Sequence, residues 1–334
     1  FAIAQLFSGA ISQLISGRRT VVVGYAVFVA ASLGCAAAPT LPLFLLFRLV
    51  QGVGAAFLFP ILMALVGEVV APERLGRALG WFGVTQTLGL TLGPLVAGFL
   101  EVHLGWHWFF VALGILAAVA AGGFLRLFRG EREPTREEGG VLAITLTVLR
   151  EPTVVLLSLA AAALFFSMIG AYTYLAAWLK EVQGLAEDRI GVILAVAGVM
   201  GIPASAMAGQ WVDRLGRKAV ALVGMAGYTT ALAGFWGLPY SFTGIVGLAA
   251  LFGWSGAVAW TALNTLAVEV IPALRKPVAS IYNALRFFGY SLAPPILGLV
   301  YGQWNVAGVY LVCELVAFGA VSSITALRLP RRRF

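Results

Sequence analysis

Three ionisable side chains, Arg48, Arg286 and Glu314, stand alone within long apolar runs. A fourth place, Asp213-Arg214-Leu215-Gly216-Arg217-Lys218, sets four charges in six positions straight after such a run. A charge in apolar surroundings is unfavourable unless it faces water, a partner or a ligand, so these residues point to proton transfer, ion pairing or charge recognition. Covalent chemistry lacks its parts: no Ser/His/Asp set or metal-ligand cluster can be assembled. Gly52-Val53-Gly54-Ala55-Ala56 resembles a phosphate loop only superficially, because it lies inside an apolar run with no strand before it. His103 and His107 fall at a span end, where a headgroup-level place suits them. Cys35 and Cys313 sit in apolar runs and suggest neither a disulfide framework nor a zinc site. The expectation is a protein that is not an enzyme and holds no metal or cofactor.

The elements that carry these charges are membrane spans. Of 334 residues, 61% are hydrophobic and only 11% charged, against about 25% charged in a soluble domain. Mean hydropathy is +0.96. At ~20 apolar residues per helix there is room for ten to twelve spans, and the runs are continuous rather than alternating, which excludes a barrel. Eleven apolar segments can be marked, at roughly 1–16, 21–38, 42–70, 79–100, 106–128, 152–179, 190–212, 219–237, 242–270, 278–300 and 306–327. The first starts at Phe1 with no charged leader, which reads as a chain lacking its true N-terminus and one span. Residues 129–151 are the long polar linker; the stretch 141–150 is too short to span and is expected to lie along the membrane surface.

Basic residues orient the spans. If the turn at Gly17-Arg18-Arg19 is cytoplasmic, alternate loops collect 18 of the 22 lysines and arginines. The opposite side has Lys180 and Arg189, and Arg48 and Arg286 lie within spans. This asymmetry puts the C-terminus in the cytoplasm, and it accounts for the net charge of +8 by topology rather than nucleic-acid binding. The chain also repeats itself. "EVVAPERLGRALGWFGVTQTLGLTLGPLVAG" (68–98) and "EVIPALRKPVASIYNALRFFGYSLAPPILG" (269–298) share an acid, Glu68 or Glu269, followed by a proline, basic residues and a Gly/Pro-containing span. Parallel repeats of this kind mark transporter halves that rock about a central site. The expected domains are an N-terminal bundle, 1–128, the linker, 129–151, and a C-terminal bundle, 152–334.

Three motifs carry a resemblance. Gly209-x-x-x-Asp213-Arg214-x-Gly216-Arg217-Lys218 matches the cytoplasmic loop motif of the major facilitator superfamily. "LLFRLVQGVGAA" (45–56) is similar to its fourth-helix pattern through Arg48, Gln51, Gly52 and Gly54. "GLTLGPLVAG" (89–98) resembles the antiporter motif through Gly89, Gly93, Pro94 and Gly98, with Ala97 in place of a glycine. The likeness covers the whole chain and points to the twelve-helix drug:proton antiporters. It implies an all-α polytopic fold of two pseudo-symmetric six-helix bundles, eleven helices of which are in hand. It also implies a bacterial inner-membrane protein, a monomer, that exports small amphipathic molecules in exchange for protons. Other readings stand beside it: a carrier of one metabolite, such as a sugar or aromatic acid, or a non-transporting membrane protein.

On their own physics, Gly89, Gly93 and Ala97 are four apart and would let helices approach closely, while Pro94 would let the helix bend. Arg48 lies about 10 Å into its span. Snorkelling would satisfy it; the resemblance implies instead a part in tuning or relaying the coupling proton. Arg286 and Glu314, on consecutive spans at similar depth, could pair, or Glu314 could titrate during transport. Tyr174 with Trp178, and Trp260 with Asn264, are one turn apart on helices that line the cavity in this family. With Gln51 they are the candidates for a drug-binding face suited to amphipathic, often cationic, compounds; lipid-facing aromatics are the alternative.

In this fold the span ending at Asp213 packs against the helix that begins near Gly76 to Gly80. A carboxylate there would favour that helix's N-terminus, so Asp213, supported by Arg217 and Glu269, is expected to act as a latch. In the first copy the acid is missing. Leu14 takes its position if Gly17 is aligned with Gly216, and Gln13 does if one residue is inserted. The contact to a helix beginning near Ser280 is expected to be weaker.

Overall fold

The computed structural model describes residues 1–128, 140–237 and 241–327. The linker residues 129–139 and the end, 328–334, lie outside the described residues, and with them Arg129, Arg132, Arg136, Arg328, Arg331, Arg332 and Arg333 of the orientation argument. The described chain is all-α, without strands: α1 (Ala2–Ile15), α2 (Gly17–Ala37), α3 (Leu41–Ala56), α4 (Phe59–Val69), α5 (Leu75–Leu104), α6 (His107–Leu127), α7 (Val141–Leu149), α8 (Pro152–Glu181), α9 (Glu187–Leu215), α10 (Arg217–Gly237), α11 (Phe242–Glu269) and α12 (Arg275–Ala326). Short 3-10 turns, Pro72–Arg74 and Pro272–Leu274, precede α5 and α12. Among the described residues nine helical stretches are long and apolar enough to cross a bilayer; Pro272–Ala326, with 55 residues, has the length of two.

Local chemistry explains where the helices depart from the eleven apolar runs. The run at 42–70 is broken at Phe57–Leu58, because Pro60 has no N–H to return to Ala56. The chain instead closes tight turns from Phe57 N to Gly54 O (3.2 Å) and Leu58 N to Ala55 O (3.0 Å). The last two runs are two helices within α12 that meet at a kink at Asn305, whose φ of 59° and ψ of −166° lie outside the helical regions. The helix expected near Ser280 starts five residues earlier, at Arg275, after the turn nucleated by Pro272. The stretch 141–150 forms α7, which packs on α1 with Ile144 and Val148 buried.

The chain divides into two compact units, and each takes a segment from the far half of the sequence. Unit 1 is Phe1–Val69, Leu92–Glu151 and Ile271–Ala284; unit 2 is Val70–Thr91, Pro152–Val270 and Leu285–Phe334. In unit 1, Val21, Ile61 and Leu65 form a core from α2 and α4, flanked by Tyr25, Leu58, Leu62 and Phe124. In unit 2 helices approach through small residues: a Cβ at Gly224 would meet Ala259 N at 2.5 Å, so α10 and α11 cross backbone to backbone.

Candidate functional site

The densest charged site lies in unit 2, where α9 ends. Asp213 accepts the backbone N–H of Gly76 on Oδ1 (2.8 Å) and that of Arg77 on Oδ2 (2.9 Å). These are two of the four amides that the first turn of α5 leaves without intrahelical acceptors, and the carboxylate also faces the positive end of the helix dipole. Glycines make the approach possible. A Cβ at Gly209 would stand 2.5 Å from the Gly76 carbonyl oxygen, and one at Gly80 2.7 Å from that of Ser205. Gly216, at φ 92°, then turns the chain from α9 into α10. Arg217 pairs with Glu269 at 2.5 Å and also donates to the Pro72 carbonyl (3.3 Å). Lys218 Nζ donates to the carbonyls of Thr325 (2.7 Å) and Leu327 (2.9 Å), capping the end of α12. Arg214 is exposed and stands outside these contacts.

The corresponding turn in unit 1 settles the register that sequence left open. Gly9 lies against Lys276 as Gly209 lies against Gly76, and four residues on stand Gln13 and Asp213. Gln13 is buried and its Nε2 donates to Ala273 O (3.4 Å), whereas Leu14 is exposed. No residue is inserted. Three positions beyond Gln13 is Ser16, at φ 149°, in the place of Gly216. Gly17 is therefore not the turn glycine; it is the buried first residue of α2, whose next residues are Arg18 and Arg19. Ser16 Oγ accepts the Arg19 amide (3.2 Å), an N-cap that offsets part of the strain in the positive-φ region. Where unit 2 has a glycine at 76, unit 1 has Lys276, which pairs with Glu68 at 3.5 Å.

Sequence reasoning missed a buried polar stripe on α1. Gln5, Ser8 and Ser12 are fully buried at helical spacing, and Ser8 Oγ is 3.0 Å from Ser280 Oγ. The spacing of three and four residues within an apolar run was the available signal.

Arg48 belongs to a hydrogen-bonded chain in unit 1. Its Nη1 donates to Gln51 Oε1 (2.6 Å), Gln51 Nε2 donates to Ser32 Oγ (2.7 Å), and Ser32 donates to Phe28 O (2.7 Å). The guanidinium also lies 5.6 Å from the Phe110 ring centroid. Arg48 and Gln51 line a cavity of about 410 Å³ together with Phe28, Gly52 and Leu113. An arginine in hydrocarbon would cost ~2.5–3.5 kcal/mol, and the Arg48 side chain is exposed beside this cavity.

Arg286 in unit 2 is placed differently. It is 1% exposed, and its guanidinium carbon lies 4.5, 4.7 and 5.3 Å from the ring centroids of Phe287, Phe165 and Trp260. The pairing with Glu314 is not formed: Glu314 is half-buried, and the aromatic faces take the guanidinium. Each ring face contributes about 0.5–2 kcal/mol toward holding a cation out of water. Asn264 is fully buried one turn from Trp260. Tyr174 instead joins the other part of α12, donating to Pro294 O (2.8 Å) with its ring 5.1 Å from Tyr301, and Trp178 is half-buried beyond it.

Among the described residues, the glycines of the antiporter motif make no close helix approach. A Cβ at Gly89, Gly93 or Gly98 would meet nothing within 4 Å, and the side chain of Pro94 lies outside the described residues. The tight crossings fall at Gly76, Gly80 and Gly209 instead.

Comparison with known proteins agrees with this architecture. The family model described as Major Facilitator Superfamily matches residues 1–241 and, in a second match, 157–334. The Bacillus subtilis protein called "Uncharacterized MFS-type transporter YceJ" is 24% identical over 337 residues, covering 98% of this chain and 81% of that protein. "Multidrug resistance protein 3" of Bacillus subtilis is 26% identical over 144 residues, or 42% of this chain, and the match spans only 28% of that relative's length. The crystal structure of the human organic anion transporter MFSD10 (TETRAN) superposes with a TM-score of 0.78 over 97% of this chain and 82% of its own, at 15% identity, which is a likeness of fold.

Proposed function

The chain belongs to the Major Facilitator Superfamily, an integral membrane protein of transporter fold, and from that premise we propose that it exports small amphipathic compounds in exchange for protons by alternating access. The observation that carries this reading is the clamp of Asp213 on the first turn of α5. Two charge-assisted hydrogen bonds and a dipole contact hold one end of α5 closed, and all of them can break without unfolding a helix. Proton coupling draws support from the Arg48–Gln51–Ser32 hydrogen bonds beside the cavity, where water can reach a chain of polar groups. Likeness to a protein called a multidrug resistance protein supports export of drug-like molecules. In this reading the charged turns and the C-terminus face the cytoplasm of a bacterial cell, and the protein works as a monomer in the inner membrane.

The test is accumulation of a fluorescent amphipath in cells expressing the protein, with and without an uncoupler of the proton gradient. Lower accumulation that the uncoupler abolishes is expected. Efflux that survives collapse of the gradient would sink proton coupling, and equal accumulation in cells with and without the protein would sink export.

A further inference from the structure

The cavity beside Arg48 bears on what is carried, and the inference drawn from it rests on the export reading above. It lies within unit 1 and holds about 410 Å³, inside the ~300–1,000 Å³ range of sites that take small organic ligands. Its walls are largely apolar, with Phe28 of α2, Leu49 of α3 and Leu113 of α6, and its polar side chains are Arg48 and Gln51. The arginine is braced. Its Nη1 donates to Gln51 Oε1 (2.6 Å), and Gln51 Nε2 is committed in turn to Ser32 Oγ (2.7 Å), which fixes the amide with its oxygen toward Arg48. One turn on, a Cβ at Gly54 would stand 2.7 Å from Phe28 N, so the two helices that carry the brace are pressed backbone to backbone. The Phe110 ring, itself edge-on to Phe44 at 5.4 Å, faces the guanidinium at 5.6 Å.

A guanidinium has five N–H donors in a planar fork and no acceptor, and the brace uses a donor on a neutral oxygen. Among the described residues no carboxylate pairs with Arg48; its partners are an amide and a ring face. The positive charge therefore stands, held in place and exposed, beside a space large enough for an organic molecule. Such a site is complementary to paired oxygens on an apolar body, since a carboxylate accepts from the fork while Phe28 and Leu113 take the hydrocarbon. A cationic ligand would meet like charge, and the Phe110 face that would attract it already holds Arg48. We propose that the Arg48 cavity is the receptor for the carboxylate of a small amphipathic organic anion, so that the compounds carried are organic acids rather than cationic drugs. Gln51 and Ser32 are its positioning residues: they aim the fork and leave the charge to the ligand.

The experiment uses the purified chain in detergent micelles and two probes of the same ring system, 1-naphthaleneacetate and 1-naphthylmethylammonium, with affinity read by calorimetry. The anion is expected to bind roughly tenfold or more tightly than the cation, and Arg48→Gln to lose at least that margin. Arg48→Lys should retain part of the affinity, as it keeps the charge but not the fork. Leu113→Trp, which fills the cavity from α6 and leaves the charge, should weaken the anion several-fold or more. The proposal is overturned if the cation binds as tightly as the anion, if neither binds, or if folded Arg48→Gln binds the anion like the parent. Should Arg48→Gln fail to purify as a monodisperse species, parental affinity in both Arg48→Lys and Leu113→Trp overturns it equally. Phosphatidylglycerol added to the micelles separates a lipid headgroup from a free anion. The probe is expected to keep its affinity; its displacement by one lipid per chain would give the site to a lipid and overturn the proposal. Proton-driven uptake of the same probes into everted vesicles separates the site from the transport reading. Binding of the anion without uptake counts against transport and leaves the receptor standing; uptake unchanged in both Arg48→Gln and Leu113→Trp does the reverse.

Discussion

Asp213 and Gly76, 137 residues apart in sequence, are joined by a 2.8 Å hydrogen bond from the first turn of α5 to the carboxylate that ends α9. The same carboxylate takes the next amide, at Arg77, so one side chain completes the N-terminus of another helix. A capping residue normally belongs to its own helix; here the cap comes from a different helix and can be withdrawn.

Replacing Asp213 with Asn keeps one acceptor and removes the charge at the dipole, an effect of up to about 2 kcal/mol. Transport measured as drug efflux should fall far more for Asp213→Asn than for Gln13→Ala or Leu14→Ala, because Gln13 carries no charge to set against a helix N-terminus and Leu14 is exposed. Small and equal effects at all three positions would remove the latch from the mechanism.

Ser16 occupies the place of Gly216 at φ 149°, where a Cβ is unfavourable. Ser16→Gly should raise stability by roughly 1 kcal/mol, since losing the cap to the Arg19 amide as glycine costs only a few tenths. Thermal unfolding in detergent is the measurement, and a lower midpoint would show that the cap outweighs the strain.

Gly209→Ala and Gly93→Ala separate packing from other uses of glycine. The first pushes a methyl to 2.5 Å from the Gly76 carbonyl, so a loss of about 1–3 kcal/mol is expected. The second meets open space inside α5, so stability should hold or rise by up to about 1 kcal/mol. If Gly93→Ala nonetheless abolishes efflux, the antiporter motif acts in a conformation other than this one.

Ser32 holds Gln51, and Gln51 holds Arg48. Ser32→Ala leaves the buried Gln51 amide without that acceptor and should cost about 1–3 kcal/mol in unfolding experiments, whereas Ser32→Thr, which keeps the hydroxyl, should recover most of it. Equal losses in both would assign the effect to shape rather than hydrogen bonding.

The sequence by itself determined that this is a helical membrane protein with a charged turn of one family's pattern. Those properties are local: hydropathy over about 20 residues decides a span, and the order of residues 209–218 decides the motif. Even Pro60 and Pro272, which break and start helices, act through their own ring and missing N–H. Only the tertiary structure decided the rest, because it depends on which backbone faces which. Spacing could not choose between Leu14 and Gln13; the buried contact of Gln13 with Ala273 does, and it moves the turn from Gly17 to Ser16. Glycines at 89 and 93 look in sequence like those at 76 and 209, yet only the second pair is pressed against another helix. The charge on Arg286 was plain from its position in the run, while its partners, three rings drawn from α8, α11 and α12, were not. A span's chemistry is written along the chain. The neighbour that completes a cap or a cage can come from more than a hundred residues away, as Gly76 does for Asp213 and Phe165 for Arg286, and only packing selects it.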